Sequence, residues 1–219
     1  MNDTESISIT KTTSKFLYFF IKRIFDIICA LIGIVFLIPI AIIVKIAYIL
    51  NGDFTSIFYN HERIGKNGKI FKLYKFRSMV PNADKILEEM LKDPEVEKEY
   101  KKNMKLANDP RITKIGMILR KTSVDEMPQF INVLLGNMSM IGNRPYLPRE
   151  KNDMGKYYDD IVKSKPGITG YWQTAGRSNI DFNSRLKLEQ YYSEHMSMLF
   201  DIKIFFKTFS VVLFGRGAQ

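Results

Sequence analysis

The sequence has few of the residues that form disulfide frameworks or transition-metal sites. Among its 219 residues there is one cysteine, Cys29, and there are two histidines, His61 and His195. A single cysteine excludes a disulfide within the chain, so nothing in the sequence requires an oxidising compartment. Because the two histidines are far apart in sequence, neither a cysteine-based nor a paired-histidine zinc site is indicated.

The sequence also has only one apolar run of membrane length, which excludes a polytopic membrane protein. Residues 27–44 contain no charged side chain, and the apolar character continues to Leu50. No small-residue cleavage pattern follows, and the run is longer and bulkier than the core of a signal peptide. We therefore interpret residues 1–17 as an N-terminal tail, 18–50 as a membrane helix and 51–219 as a cytoplasmic domain.

Pro39 lies near the middle of the apolar run and removes one backbone donor from any helix there. It divides the run into arms of about 12 residues, each reaching roughly 18 Å, little more than half of a hydrocarbon core of about 30 Å. Two interpretations stay open at this point. One is a kinked helix that spans the bilayer, and the other is a re-entrant helix, broken at Pro39, that enters and leaves one leaflet. Lysine and arginine flank both ends of the run, which favours both ends on the cytoplasmic side.

Basic residues outnumber acidic ones by 33 to 23, a surplus of +10. Residues 58–80 hold six of the basic residues and one glutamate, so half of the surplus lies there. A surplus of this size needs an acidic partner, which is nucleic acid, anionic lipid or a phosphorylated substrate. A turn at residues 66–69 separates two stretches in which apolar and basic residues alternate, and this predicts a β-hairpin with one basic face. The adjoining membrane run argues against nucleic acid as the partner.

The other segments predict mainly helices, so the expected fold class is α+β, mostly helical, with a small β-hairpin. Charged helices are expected over residues 82–92 and 95–107, where they form a solvated cover. Residues 195–214 carry large apolar side chains at helical spacing, which predicts a helix lying in the membrane interface. A core helix of the soluble domain is the alternative for that tail.

An acidic pair, Asp125-Glu126, is the main chemical feature of the remaining sequence. Ser123 is suited to cap a helix that begins near Asp125, and the two carboxylates would then be plain dipole partners. They are equally suited to chemistry, because a helix N-terminus keeps the pKa of a carboxylate low and leaves it ionised as a nucleophile or Mg²⁺ ligand. Four arginines could bind phosphate oxygens bidentately: Arg77, Arg120, Arg144 and Arg177.

Seven short segments together resemble the bacterial sugar transferase family, the monotopic polyprenol-phosphate phosphoglycosyl transferases. They are KRIFDI at 22–27, ERIGKNG at 62–68, KFRSM at 75–79, SVDEMPQF at 123–130, GNRP at 142–145, KPGITGYWQTAGR at 165–177 and RGA at 216–218. Each segment alone is a weak signal. Their order and spacing are specific, and the resemblance covers roughly residues 18–218.

The resemblance implies a monotopic enzyme on the cytoplasmic face of the bacterial inner membrane, anchored by a re-entrant helix broken at Pro39. Asp125 would attack the β-phosphate of a nucleoside-diphosphate sugar, such as a UDP-sugar, and release UMP. Undecaprenyl phosphate would then take the phosphosugar from Asp125. Mg²⁺ is the implied cofactor, held by Asp125 and Glu126, with Glu126 assisting as metal ligand or base. The family positions that contact substrate match Lys75, Arg77, Arg120, Arg144, Pro145, Gln173 and Arg177.

Further expectations concern partners and departures from the family pattern. Anionic membrane lipids are an expected partner, nucleic acid is not, and homodimerisation stays open. The alternative function is that of a membrane-anchored assembly protein without chemistry. His61 stands where the family has glutamine, Asn143 where many members have proline, and Thr174-Ala175 replaces a more usual pair. None of these removes a charged site residue, so we expect differences only within the nucleotide pocket.

Overall fold

The computed structural model describes residues 3–103, 106–175 and 180–213, and these are mostly helical. The first helix, α1, covers Asp3–Leu50 and contains the whole apolar run. The later helices are α2 (Ala83–Met90), α3 (Pro94–Asn103), α4 (Lys114–Lys121), α5 (Gln129–Leu134), α6 (Lys151–Met154), α7 (Tyr158–Ile161), α8 (Tyr171–Ala175), α9 (Phe182–His195) and α10 (Met198–Leu213). Four strands form two separate pairs: β1 (Phe58–Ile64) with β2 (Ile70–Phe76), and β3 (Ser139–Ile141) with β4 (Gly167–Thr169).

Strands β1 and β2 form the hairpin that the sequence predicts. They are antiparallel, and Ile64 faces Ile70 next to the turn while Phe58 faces Phe76 at the open end. The turn needs two left-handed backbone positions, supplied by Asn67 at φ 57° and Gly68 at φ 77°. Asparagine and glycine tolerate this conformation better than other residues. The hairpin therefore pairs without interruption from its turn to Phe76.

Helix α1 is docked on the rest of the chain from Asp26 to Tyr48. One face is buried at intervals of four or seven residues, through Ala30, Leu37, Val44 and Tyr48. Between them, a Cβ atom on Gly33 would lie only 2.5 Å from the ring of Phe130. A helix keeps such a spacing on one side, so this stripe of α1 meets α5 and β3 and packs against Leu73 and Phe76 of β2.

The opposite face of α1 is apolar and exposed. The side chains on it include Phe16, Leu17, Phe20, Ile24, Ile28, Ile32, Val35, Phe36, Ile42, Ile43 and Ile46. The segment Lys15–Leu50 is long and apolar enough to cross a membrane, with a mean hydropathy of 3.3 over its most apolar window. A contiguous exposed surface of this kind marks a lipid or protein contact. Membrane association follows, as the sequence predicts.

Pro39 lies inside α1, and the helix continues on both sides of it. The two separate arms expected from the sequence are therefore not confirmed. Contacts on both sides of Pro39 tie the helix to the rest of the chain. Near the N-terminal end, Lys22 Nζ lies 2.5 Å from Asp201 of α10. Near the C-terminal end, the Tyr48 hydroxyl donates to the backbone oxygen of Arg77.

The parallel pair of strands is joined to α1 by a buried carboxylate. Asp26 is 3 % exposed, and its Oδ1 atom accepts hydrogen bonds from the Ser139 hydroxyl at 2.9 Å and from the Met140 N–H at 2.8 Å. Buried polar groups of this kind are costly unless paired. Asp26 therefore fixes the position of β3 against the membrane helix.

Helix α4 approaches the end of β2 unusually closely at Gly116. A Cβ atom there would lie 1.9 Å from the backbone oxygen of Ser78, so only glycine fits. Thr113 caps the helix, because its hydroxyl accepts from the Gly116 N–H at 2.9 Å. The close approach sets where the C-terminal end of α4, and hence Arg120, lies.

The charged cover and the tail both follow the sequence predictions in outline. Helices α2 and α3 are shorter than the expected ranges. On α10, Leu199 and Phe206 are 74 % and 68 % exposed, whereas Asp201 and Ile204 are buried. The tail helix thus combines the two alternatives, since one face packs on the domain and the other is apolar and open.

Candidate active site

The acidic pair lies in a tight turn between α4 and α5. Val124–Glu126 form a single turn of 3-10 helix, and Ser123 before it adopts a left-handed conformation at φ 57°. The sequence prediction that Ser123 caps a helix is wrong, because its side chain makes no capping hydrogen bond. Val124 and Met127 instead pack against the apolar cluster that contains Leu37 of α1. This packing holds the two carboxylates at the junction of α1, α4 and the hairpin.

Lys75 of β2 contacts both carboxylates. Its Nζ atom donates to Glu126 Oε1 at 2.8 Å and lies 3.8 Å from Asp125 Oδ2. Asp125 is buried, with 7 % of its surface exposed, whereas the Glu126 side chain is 37 % exposed. The pair therefore offers one enclosed carboxylate and one that faces outward, bridged by a single ammonium group.

The two carboxylates differ in proton affinity because their surroundings differ. Burial raises the pKa of Asp125 to about 6, and the charge of Glu126 adds to this effect while Lys75 opposes it. Burial also disfavours ionised Glu126, but Lys75, Arg144 and Arg63 outweigh it and leave the Glu126 pKa below its usual value. The low pKa expected from the sequence is thus confirmed for Glu126. The same expectation is wrong for Asp125, because that carboxylate is enclosed by neighbouring residues.

Arg120 and Arg144 approach the pair from two sides. Arg120 lies on α4, where its Nε–H donates to the Ser78 hydroxyl at 2.9 Å, and its charge lowers the pKa of Asp125. The Arg144 backbone N–H donates to a carboxylate oxygen of Glu189 at 2.8 Å. The buried Nε of Arg144 has no hydrogen-bond partner among the described residues. An unpartnered guanidinium nitrogen near a carboxylate pair is available to an anionic ligand.

Arg63 also belongs to the site. It lies in the segment ERIGKNG, but no role was predicted for it from the sequence. It is 9 % exposed, and it donates from Nη1 to the backbone oxygen of Pro145 at 2.9 Å. Its Nε–H donates to His61 Nε2 at 2.6 Å. Burial and the nearby arginines lower the pKa of His61 to about 3, so the ring stays neutral and accepts this bond. A glutamine oxygen could accept the same bond, which accounts for the departure at His61.

Arg185 and Glu189 of α9 are site residues that the sequence reasoning missed. They are 7 % and 1 % exposed, and Arg185 lies 5.3 Å from the ring centre of Trp172. Burial and the charge of Arg144 lower the pKa of Arg185. Burial raises the pKa of Glu189 to about 7. Their spacing of four residues, which places two side chains on one helical face, was the available signal.

The remaining predicted residues are not all brought to the acidic pair. Arg77 is held away from it by Asp53, at 2.8 Å from Nη2, and by stacking 4.6 Å from the ring centre of Tyr48. Gln173 of α8 donates to the Ile168 backbone oxygen at 3.2 Å, and its own oxygen is buried without a partner among the described residues. Arg177 lies outside the described residues.

The acidic pair suits Mg²⁺ only in combination with a bound phosphate. No group of three or more His, Cys, Asp or Glu side chains converges within the described ranges. Mg²⁺ is commonly held by one or two carboxylates together with substrate phosphates. Asp125 and Glu126 supply that number of carboxylates, and Lys75 already contributes one positive charge beside them.

Asn143 shows how the turn before Arg144 is held without the proline common in the family. Its amide Nδ2 donates to the Ser193 hydroxyl at 2.6 Å and to the Ile161 backbone oxygen at 3.1 Å. The side chain is 2 % exposed. These two bonds fix the turn to α7 and α9, so the backbone carrying Arg144 is positioned by hydrogen bonds.

Comparison with characterised proteins connects this arrangement to named activities. The chain is 41 % identical to an undecaprenyl-phosphate galactose phosphotransferase of Salmonella typhimurium over 215 residues, which are 96 % of this chain and 43 % of that protein. It is 42 % identical to a UDP-galactose-lipid carrier transferase of Erwinia amylovora, across 97 % of this chain and 44 % of that protein. It therefore spans less than half the length of these two relatives.

A third relative is similar along most of both chains. The exopolysaccharide production protein ExoY of Sinorhizobium fredii is 38 % identical over 198 residues, which are 90 % of this chain and 87 % of that protein. The family model described as bacterial sugar transferase matches residues 17–215, a range that includes the apolar part of α1, the acidic pair and all the arginines discussed above. The chain therefore belongs to the bacterial sugar transferase family.

Proposed function

We propose that the protein transfers a sugar-1-phosphate from a nucleoside-diphosphate sugar to undecaprenyl phosphate, giving undecaprenyl-diphospho-sugar and a nucleoside monophosphate. The observation that carries this proposal is the buried Asp125 beside Glu126, with Lys75 bridging them and with Arg144 and Arg63 close enough to lower the Glu126 pKa. Phosphoryl transfer requires mainly positioning and neutralisation of charge, and this arrangement supplies both.

In the first step, a carboxylate oxygen of Asp125 attacks the β-phosphorus of the donor. The bond from that phosphorus to the bridging oxygen breaks, and the nucleoside monophosphate leaves with the electron pair. The phosphosugar stays on Asp125 as an acyl phosphate. Lys75 and Arg120 place positive charge on the side of the attacking Asp125 carboxylate. The guanidinium nitrogen of Arg144 that has no partner among the described residues is suited to donate a hydrogen bond to the diphosphate oxygens.

In the second step, a phosphate oxygen of undecaprenyl phosphate attacks the same phosphorus. The bond to Asp125 breaks, and the carboxylate is regenerated. When Mg²⁺ is bound, it neutralises phosphate charge as these bonds form and break. Glu126, the more exposed carboxylate, is suited to act as a metal ligand because its low pKa keeps it ionised, and a role as base is the alternative.

UDP-galactose is the donor to test first. The names of two relatives specify galactose, one as a phosphotransferase and one as a UDP-galactose-lipid carrier transferase. A third relative, from Aeromonas hydrophila, is named for N-acetylgalactosamine and is 34 % identical to this chain. UDP-N-acetylgalactosamine is accordingly the second donor in the same assay.

Intact-protein mass spectrometry tests the covalent step. After incubation with UDP-galactose and Mg²⁺, without lipid acceptor, the chain should gain the mass of one hexose phosphate. Asp125→Asn should not gain it, whereas Asp159→Asn, which changes an exposed aspartate of α7, should gain it as the native chain does. Addition of undecaprenyl phosphate should remove the adduct.

The same experiment separates catalysis from a purely structural role. A membrane-anchored assembly protein without chemistry would form no adduct with either donor and would release no UMP. If Asp125→Asn transfers phosphosugar to undecaprenyl phosphate at the native rate, the nucleophile assignment is wrong.

We also propose that α1 is monotopic, with both ends on the cytoplasmic face. Contacts at Lys22 and at Tyr48 join the two ends of the apolar run to one folded domain, and the stripe between them is buried along its length. A spanning helix would carry its ends to opposite sides, about 30 Å apart. These contacts therefore support a helix that enters one leaflet, with Pro39 near its middle.

Cysteine labelling tests this topology. In a Cys29→Ser background, Thr10→Cys and Asn60→Cys should both react with a membrane-impermeant reagent only from the cytoplasmic side. Accessibility of the two positions from opposite sides would show that α1 spans the bilayer.

A further inference from the structure

A second basic site lies at the turn end of the β-hairpin, away from the acidic pair. It is a cavity of about 240 Å³ between α1, the hairpin turn and the segment before β4. This is smaller than the roughly 300–1,000 Å³ of pockets that enclose drug-sized ligands. Its charged lining residues are Lys22, Arg23, Asp26, Lys66 and Lys165.

The carboxylates around this cavity already have hydrogen-bond or ion-pair partners. Asp26 accepts from Ser139 and Met140. Asp201, next to the cavity, pairs with Lys22 at 2.5 Å. Within the described part of the chain, no carboxylate lies within ion-pair distance of the amine of Lys66 or Lys165, so the cavity keeps an excess of positive charge.

The remaining cations are close enough to repel one another. Burial, together with the charges of Arg23 and Lys66, lowers the pKa of Lys165. A Cβ atom on Gly136 would lie 3.6 Å from both Arg23 Nη2 and Lys165 Nζ, so these two cations approach the same point. Like charges held together in this way are stabilised when an anion binds between them.

A buried hydroxyl completes the lining. Ser164 is 7 % exposed, lies between this cavity and a smaller one beside Asn143, and has a hydroxyl with no hydrogen-bond partner among the described residues. Buried hydroxyl groups are rarely left unpaired. A phosphate oxygen in the cavity would supply the missing partner.

The cavity opens beside the apolar face of α1. Phe19 lines it and is 44 % exposed, and Lys66 Nζ lies 5.7 Å from the centre of that ring. Phe16, Phe20 and Ile24 continue the exposed apolar surface along the helix. Positive charge next to such a surface matches a lipid, whose phosphate and acyl chains are joined in one molecule.

The cavity is separate from the proposed catalytic centre. Arg23 is ten residues before Gly33, which contacts Phe130 just after the acidic pair, and this spacing corresponds to roughly 15 Å along the helix. The hairpin gives a similar separation, because Lys66 is in its turn and Lys75 is near its open end. One phosphate group cannot occupy both places.

We propose that this cavity binds the phosphate headgroup of an anionic membrane phospholipid, with Lys66, Lys165 and Ser164 as its ligands and the acyl chains along the exposed face of α1. The site would hold the hairpin turn at the level of the lipid headgroups. This inference uses the membrane association of α1 and is independent of the transfer chemistry.

Native mass spectrometry of the full chain in detergent, titrated with phosphatidylglycerol, tests the proposal. The double variant Lys66→Ala/Lys165→Ala should bind phosphatidylglycerol at least about 10-fold more weakly than the native chain. Lys69→Ala/Lys163→Ala is the matched control, because it removes two exposed lysines from the same two segments and should remain within about 2-fold of the native chain. Phosphatidylcholine, which has no net charge, should bind all variants weakly.

Three outcomes would overturn the proposal. Equal loss of phosphatidylglycerol in both double variants would mean that only overall charge matters. Equal binding in the native chain and the Lys66→Ala/Lys165→Ala variant would mean that the cavity is not the lipid site. Displacement of the lipid by inorganic phosphate at equal concentration would assign the cavity to free phosphate. Asp125→Asn should keep native lipid binding, so a failure of the proposed transfer reaction would be recognised separately.

Discussion

Lys75 is the side chain that connects the two carboxylates of the candidate site. Its amine is within hydrogen-bond distance of Glu126 and lies 3.8 Å from Asp125. The hairpin register fixes it opposite Tyr59, near the open end of the arm. Its position therefore depends on β-sheet pairing and not on the flexibility of a loop.

Replacement of Lys75 should reduce catalysis without unfolding the protein. We expect Lys75→Met to lower kcat/KM by roughly 100-fold, in the range found when a charge-stabilising donor is removed from an active site. Lys72→Met, on the same strand and exposed, should change kcat/KM by less than about 3-fold. UMP release measures both variants. A native rate for Lys75→Met with an unchanged melting temperature would exclude Lys75 from the site.

Glu189 should make the stability of the fold depend on pH. Its pKa is about 7 in the folded protein and 4.5 without burial. The folded state therefore binds the Glu189 proton more tightly than the unfolded state does. This proton binding stabilises the fold fully below pH 4.5, and the stabilisation is lost as the pH rises through about 7. Glu189→Gln should remove this pH dependence, which amounts to about 3 kcal/mol over the whole range and about 2 kcal/mol between pH 5.5 and pH 8.

Thermal unfolding in detergent at pH 5.5 and pH 8 measures this effect. The native chain should lose more stability between the two pH values than Glu189→Gln does. Glu194→Gln, an exposed position on the same helix, should behave as the native chain. Identical slopes for the native chain and Glu189→Gln would contradict the assignment.

At the residue scale, the sequence predicted the acidic pair together with Lys75, Arg120 and Arg144, but not Arg185 or Glu189. Asp125 and Glu126 were recognisable from a local motif. Arg185 and Glu189 reach the site only through the packing of α9 beside the turn at Asn143, a long-range contact that no local pattern shows. The raised pKa of Asp125 was missed for the same reason, because it depends on enclosure by neighbouring elements.

At the scale of elements, the position of α4 requires a residue without a side chain at Gly116. Gly116→Ala would place a Cβ atom 1.9 Å from the Ser78 backbone oxygen, so α4 would have to move away from β2. Overpacking of this kind costs about 1–3 kcal/mol. We expect a fall of several degrees in melting temperature and a loss of activity, because Arg120 would lose its bond to Ser78.

Met117→Ala is the matched control for this change, since Met117 is the next residue on α4 and is 61 % exposed. It should leave both the melting temperature and UMP release close to native values. A Gly116→Ala variant as stable and active as Met117→Ala would show that α4 accommodates the extra atom.

The elements themselves were predictable to different degrees. Alternating apolar and basic residues around an Asn-Gly turn were enough to predict the β-hairpin. The face of α1 that docks on the domain was not predictable, because residues 27–44 are apolar on all sides and carry no helical periodicity. The continuity of the helix through Pro39 was not predicted either, since proline alone indicated a break.

For the whole molecule, two apolar surfaces determine how it is retained by a membrane. These surfaces are the exposed face of α1 and the open side of α10, which carries Leu199 and Phe206. Each consists of several neighbouring apolar side chains and not of one isolated residue. We expect the protein to stay in the membrane fraction after 1 M salt and after alkaline carbonate, and to be released by detergent. Immunoblotting of the fractions measures this, and release by salt alone would mean that charge holds the protein.

The lengthwise docking of α1 also restricts how the protein can turn. A helix free on all sides can rotate about its own axis within the lipid, but here one side carries the domain along the whole stripe from Ala30 to Tyr48. With the proposed one-leaflet topology, the roll angle of the molecule would therefore be fixed with respect to the bilayer plane. Asp125 would meet a lipid-borne partner at one constant height, so their encounter would be a search in two dimensions with the orientation largely set in advance.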